Sequence, residues 1–504
     1  MLVLLGGMNL RGTDQYWYIA DTETILAGSP WAAQHVFPQQ VVQPNFPGYA
    51  NFVHNALGMY LVLPMSWVTG PLMGWVLTNI VLAIAAAVVV WAIVRRAANT
   101  SAANAAFCLT LVYPASFWQA SQPLLESSCM IFTALAAWFF LKAEERHWNW
   151  WALGFSLAAL TLCRISYLPV LAALPAVYLA YQPSLTRRHF ATVGAMLILT
   201  VGTFIFSKWA LPNGMPTSLR MLIANGKLPE LDYMRFLYIT GAEPILLENV
   251  IGKATVSFVR QFPLNQSAIY YWPFNFAAIT AIVGLFSSPH GGIQRRLCLL
   301  ATGILSVHCL QGVIHQNQFR YLVPGWPVIL AAAVITWNFW FASLPTGRTL
   351  SGRLLRYSGR FAIALCCVVD LALTVHLVRV GEQEARGREM IRAQMAKHIP
   401  VDATILLDCG ETRSVGMYLE FISRPRRIVY MRESVPADDC RRIVEGFRPT
   451  YVIASNPEPY RQRVNGELVE VSMNWPKHVD EMHIYRVVPQ SLQTASRVAD
   501  DASL

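Results

Sequence analysis

Residues 71–96 read PLMGWVLTNIVLAIAAAVVVWAIVRR, an uncharged apolar run closed by Arg95 and Arg96. An α-helix needs about 20 mostly apolar residues to cross a bilayer core ~30 Å thick. Lys and Arg collect on the connections that stay in the cytoplasm. The stretch therefore predicts a spanning helix whose C-terminal end is cytoplasmic. Further apolar runs follow at 103–119, 126–142, 148–163, 166–181, 191–211, 268–287, 297–314, 322–342 and 361–379. Basic residues fall in every second connection: Arg95 with Arg96, Lys142 with Arg146, Arg187 with Arg188, Arg295 with Arg296, then Arg348, Arg353, Arg356 and Arg360. The pattern predicts a polytopic α-helical membrane protein with about ten transmembrane helices. It leaves the loops 8–70 and 212–267, the turns at Gln122 and Arg164, the segment 315–321 and the tail on the outer face. The apolar stretch 55–69 reads as an interfacial helix, because counting it as a span would invert every later connection.

Charge divides the chain in two. Of 39 Lys and Arg and 29 Asp and Glu, residues 381–504 hold 17 and 18, which leaves 22 and 11 for the first 380 residues. A chain with 55% hydrophobic and 13% charged residues is not a cytosolic globular enzyme. Its excess of +10 sits in pairs between apolar runs rather than along one stripe, so nucleic acid is excluded as a partner. The expected organisation is a transmembrane domain over 1–380, a soluble extracytoplasmic α/β domain over 381–490 and a disordered tail over 491–504. Within the α/β domain, β-like runs at 404–407, 427–431 and 451–454 alternate with helical patterns at 412–421 and 437–447, which suggests a small parallel sheet.

The outer segments carry the candidates for chemistry. Asp14, Asp21 and Glu23 are three of the eleven acidic residues in the first 380. Asp14 and Tyr18 are one helical turn apart and Asp21 lies two turns beyond Asp14, so one helix can present all three on one face. A carboxylate at the membrane interface can act as a general base toward an acceptor hydroxyl; the structural alternative for Asp14 is a helix cap. Glu126 opens a span, where the helix dipole alone also favours an acid. Arg164 and Arg320 lie opposite the positive-inside loops and need anionic partners, either an acidic side chain such as Glu126 or a phosphate. His315 and Tyr321 flank Arg320 with further hydrogen-bonding groups. His54 and His315 have no second His at ligand spacing, so hydrogen bonding is favoured over a metal site. Asp370 lies inside the last run, where an unpaired charge is costly, and is expected to face the bundle interior.

These residues resemble the GT-C superfamily of polytopic glycosyltransferases. The first outer loop runs from Asp14 through Tyr18 to Thr22, with Ala20 displaced from the family's usual place, and a Pro-rich stretch follows. The sequence YPASFWQASQPLLESSCMIFTALAAWFFL (113–141), with Ser116, Pro123, Glu126 and Ser127, and GFSLAALTLCRISYLP (154–169) with Arg164, are similar to GPI mannosyltransferases that use a dolichol-linked donor and to their bacterial relatives. The run FRYLVPGWPVIL (319–330) resembles the superfamily's late outer-loop motif. The resemblance implies an inverting transfer of one sugar, with mannose favoured, from a polyprenyl-phosphate donor to a lipid, glycan or protein acceptor on the extracytoplasmic face. It implies that Asp14 takes the acceptor's proton, that Arg320 and Arg164 bind the lipid phosphate, and that Tyr18, Asp21, His54, Glu126, His315 and Tyr321 line the substrate site. It also implies a span before the catalytic loop, an eleventh helix, where only ten residues precede Arg11. Gln15 replaces a second acid common in the superfamily, so no cofactor is expected and a divalent metal is the less favoured alternative. The expected location is the cell membrane, multi-pass, or the endoplasmic reticulum membrane in a eukaryote. A transporter or flippase of lipid-linked sugars is the rival reading; it calls for ionisable residues at the bilayer midplane, whereas the polar groups here sit at the outer ends of helices.

Overall fold

The computed structural model describes residues 18, 19, 22, 26, 56–143, 145, 146, 148–163, 168–182, 186–210, 272–287, 292–314, 319–343, 350–400, 402–408, 427–431, 448–454, 456–461, 464, 466–471 and 483–489. The chain forms two compact units that divide between Val380 and Gly381. The first is helical: α1 (Ala56–Thr69), α2 (Pro71–Ala97), α3 (Thr100–Val112), α4 (Pro114–Ala120), α5 (Glu126–Lys142), α6 (Trp148–Cys163), α7 (Leu168–Tyr181), α8 (Arg187–Ala210), α9 (Trp272–Ser287), α10 (Ile293–Ile314), a 3₁₀ helix (Phe319–Gly325), α11 (Trp326–Ser343) and the first part of α12 (Leu350–His398).

Among the described residues, the helical stretches Pro71–Ala97 and Leu322–Ser343 are long and apolar enough to cross a bilayer by length and composition. The second is 83% buried against 39% for the first, so α11 is the inner helix. It is apolar on every side, and α2, α3, α5, α9 and α10 all pack on it. Helices α5 and α6 occupy the runs read from the sequence, residue for residue.

Two segments differ from the reading of the sequence, and a third, the helix read over 55–69, shows how it packs. The stretch expected at the interface forms α1, which turns back to pack along α2 and also touches α6. Gly70 makes the reversal at φ +84°, and a side chain at Gly74 would overlap the backbone of Ser66. Small residues let the two backbones meet. The run 103–119 is two helices, because Pro114 has no N–H to continue α3 and forces Tyr113 out of the helical region, to ψ 119°. The carbonyl of Val112 at this break accepts a hydrogen bond from Thr374 Oγ1 at 3.1 Å. The last span is part of a 49-residue helix, about 74 Å long at 1.5 Å per residue. No proline occurs between Pro345 and Pro400, so Arg353, Arg356 and Arg360 lie on this helix rather than in a loop.

The second unit contains the C-terminal part of α12 and a five-stranded sheet of β1 (Thr404–Asp408), β2 (Arg427–Met431), β3 (Tyr451–Ala454), β4 (Glu467–Val471) and β5 (His483–Val488), with a short α13 (Glu458–Arg461) after β3. The strand order is β2-β1-β3-β5-β4. The three strands legible in the sequence are parallel, whereas β5 runs antiparallel to β3 and β4 antiparallel to β5, so the sheet is mixed rather than parallel. Strand β3 is buried throughout, and Leu406, Val452, Tyr460, Leu468 and Tyr485 form the core. The phenol of Tyr451 donates to the carbonyl of His398 at 3.3 Å and ties the end of α12 to the sheet. The helical patterns at 412–421 and 437–447 lie outside the described residues.

Candidate functional site

The polar residues of the bundle gather where α3 breaks and α5 begins. Pro114 opens α4 at its first position, where its missing N–H costs nothing. After seven residues the chain turns through Ser121, Gln122 and Pro123. The side chain of Asn79, from α2, holds that turn: its Nδ2 donates to the carbonyls of Gln122 at 2.8 Å and Leu124 at 3.0 Å. Helix α5 then starts at Glu126 without a side-chain cap. Glu126, Ser127 and Ser128 form its first turn and all three are fully buried. The carboxylate of Glu126 is placed where the helix dipole favours an anion.

The 3₁₀ helix packs against α4, α5 and α10, so its residues Arg320 and Tyr321 belong to the same end of the bundle as Glu126. Trp326 anchors it. Its indole stacks on Tyr113 at 4.1 Å between centroids and on Phe274 at 5.8 Å, which joins the 3₁₀ helix to the α3–α4 break and to α9. Such ring pairs contribute about 0.5–1.5 kcal/mol beyond their buried area. The opposite wall is polar: Gln119, Ser121 and Ser116 are buried, and Ser116 Oγ lies 3.7 Å from Met130 Sδ. The side-chain oxygens of Gln119, Ser127 and Ser128, and Asn79 Oδ1, meet no hydrogen-bond partner among the described residues. Burying such groups without partners costs about 1–3 kcal/mol each. Four such residues lie together at this end of the bundle.

Of the residues singled out from the sequence, Glu126 is in this cluster, and Arg320 and Tyr321 are on the adjoining 3₁₀ helix. Tyr18 is helical and buried, with its carbonyl accepting from Thr22 Oγ1 at 2.7 Å; it belongs to the second unit. Asp14, Asp21, His54, Arg164 and His315 lie outside the described residues. Among the described residues no three His, Cys, Asp or Glu gather as a metal site. Asp370 is fully buried, as its place within an apolar run predicts, and neither carboxylate oxygen meets a hydrogen-bond partner among the described residues. The sequence reading missed Asn79, the only carboxamide in the run 71–94, and Trp326, which is apolar enough to pass as ordinary core.

Residues 68–211 match a family model described as dolichyl-phosphate-mannose-protein mannosyltransferase. The match runs from the end of α1 through α8 and contains Asn79, the 120–125 turn and the start of α5. Among solved structures the chain is similar to ArnT from Cupriavidus metallidurans in the apo state, at 13% identity and TM-score 0.57, over 97% of this chain and 96% of that one. It is also similar to ArnT from the same organism bound to undecaprenyl phosphate, at 14% identity and TM-score 0.56 over the same shares. At these identities the likeness is one of fold. A comparison with curated proteins returns no match.

Proposed function

We propose, on the premise that this chain has the fold of the GT-C glycosyltransferases, that it transfers a single sugar from a polyprenyl-phosphate donor to an acceptor on the extracytoplasmic face of a membrane. The observation that carries this reading is the overlap of the family match with the buried polar end: the segment most like a polyprenyl-phosphate-sugar enzyme is the one that holds Glu126, Ser127 and Ser128. The undecaprenyl phosphate bound to ArnT supports a lipid-linked donor. Mannose is the favoured sugar, from the description of the matched family. The acceptor is a lipid, a glycan or a protein.

In the proposed reaction the acceptor hydroxyl attacks the anomeric carbon from the face opposite the phosphate. The new C–O bond forms as the bond to the phosphate oxygen breaks. The acceptor's proton passes to Asp14 as general base. The electron pair leaves with the polyprenyl phosphate, whose charge Arg320 and Arg164 stabilise. Glu126 accepts hydrogen bonds from sugar hydroxyls, with Tyr18, Asp21, His54, His315 and Tyr321 completing the substrate site. The donor's hydrocarbon tail needs access to the bilayer while its sugar and phosphate need polar groups, and the polar end supplies these beside apolar helices.

The test is sugar transfer in membranes, supplied with labelled polyprenyl-phosphate sugars, by the wild type and Asp14→Asn. Loss of a positioned general base lowers the rate about 10²- to 10⁴-fold, and protein level and membrane insertion should stay normal. Unchanged transfer by the variant would remove Asp14 from the role of base.

A further inference from the structure

The Glu126 carboxylate stands in a fixed place only if α5 begins in a fixed place, and the start of α5 is not held by a cap of its own. Leu125, the residue before it, makes no side-chain cap, and the helix ladder opens with the Cys129 N–H donating to the Leu125 carbonyl at 3.0 Å. The carbonyl of Leu124 falls one residue outside that ladder. The turn before it is tight: the Leu124 N–H donates to the Gln122 carbonyl at 2.8 Å, and the Gln122 N–H to the Gln119 carbonyl at 3.3 Å. Residues 121–125 are all buried. A turn so placed needs protein partners for its remaining carbonyl lone pairs.

Asn79 supplies them from another helix. It lies eight residues after Pro71, a little over two turns into α2, and is fully buried. Its Nδ2 is the one side-chain nitrogen that reaches both the Gln122 and Leu124 carbonyls among the described residues, at 2.8 and 3.0 Å. The reverse amide orientation would set Oδ1 against two carbonyl oxygens, so the donors must face the turn. A Ser or Thr hydroxyl has one donor and an ionised Asp has none, whereas a carboxamide nitrogen has the two that this turn uses. Slipping the start of a helix by one residue rotates a side chain about 100° and shifts it about 1.5 Å. Hydrogen bonds hold over about 2.7–3.2 Å, so a carboxylate that binds a sugar tolerates no such slip. We propose that Asn79 is a positioning residue for the donor's sugar: by clamping the 122–124 turn from α2, it fixes where α5 starts and so where Glu126 stands. The inference rests on the proposed role of Glu126 in accepting hydrogen bonds from sugar hydroxyls, and adds the residue that sets that acceptor in place.

The test uses the full-length protein in membranes, with labelled polyprenyl-phosphate sugars as donors over a range of concentrations. Asn79→Leu keeps a side chain branched at Cγ and removes both donors; it should raise the donor KM about tenfold. Asn79→Ser keeps one donor on a shorter stem, should raise KM less, and carries the test if Asn79→Leu misfolds. Added to Glu126→Gln, either change should lower kcat/KM by less than about twofold, because the group it positions is already lost. A purely structural role predicts the same loss in both backgrounds, and that result would overturn the proposal, as would an unchanged KM where Glu126→Gln is impaired. Hydrogen exchange of the purified protein gives a readout independent of transfer: Asn79→Leu should speed exchange at residues 122–129 and leave the other helices unchanged. Unaltered exchange there would overturn the clamp. Full transfer by Glu126→Gln would instead overturn the role of Glu126, and with it that of Asn79 toward the sugar, while exchange still decides whether Asn79 holds the turn.

Discussion

At the end of the bundle where α5 begins, Glu126, Ser127 and Ser128 are sealed away from solvent, whereas at the other end Arg96 and Glu145 keep 33% and 42% of their side chains exposed. The first end is made of amides, hydroxyls and one carboxylate, held by Asn79 and by the Trp326 stack. The second is made of cations laid over aromatic rings, Arg95 on Trp91 and Lys142 on Trp138. Exposed ion pairs contribute little to stability, about 0–1 kcal/mol, so the Arg96–Glu145 pair is not what holds this end together. Buried polar side chains that meet no hydrogen-bond partner among the described residues, as Ser127 and Ser128 do here, work against stability; under the proposed function, substrate binding would offset that cost.

Substitutions can break or sharpen this contrast. The largest effect should come from Trp326→Ala, which empties the space between Tyr113 and Phe274; a loss of about 3–5 kcal/mol is expected for a large buried aromatic, read from denaturant unfolding in detergent. Next, Asn79→Ala leaves the carbonyls of Gln122 and Leu124 without their donor and should cost about 1–3 kcal/mol, while also weakening donor binding because the turn before Glu126 loosens. Thr374→Val removes one hydrogen bond to Val112 and should cost about 1 kcal/mol. Arg96→Gln should cost no more than about 1 kcal/mol, shrinking further at high salt. A basic-end substitution that destabilises more than Asn79→Ala would reverse the assignment of the two ends.

Much of the helical architecture is legible in the sequence, because an apolar run ended by a charge is a local signal. Glu126 and Lys142 mark the two ends of α5, and the run between them is the helix. Hydropathy does not register what interrupts or prolongs a helix. Pro114 splits the run 103–119 while leaving it equally apolar, and α12 continues well past its apolar part because Pro345 and Pro400, not polarity, bracket it. In the sheet, β1 to β3 were readable as alternating elements, but the antiparallel return of β5 beside β3 depends on pairing that no local pattern encodes. The candidate site was legible through its charges, Glu126 and Arg320. Asn79 was not, because one amide in a long apolar run looks like a tolerated polar residue until the turn it holds is seen.

The most direct measurement compares sugar transfer from labelled polyprenyl-phosphate donors by the wild type, Glu126→Gln at the polar end and Arg96→Gln at the basic end, in membranes with matched protein levels. A polar end that binds the donor's sugar predicts that wild type transfers, that Glu126→Gln loses most of the activity, and that Arg96→Gln retains it. Full transfer by Glu126→Gln, or no transfer by the wild type from any donor in the panel, would contradict that account.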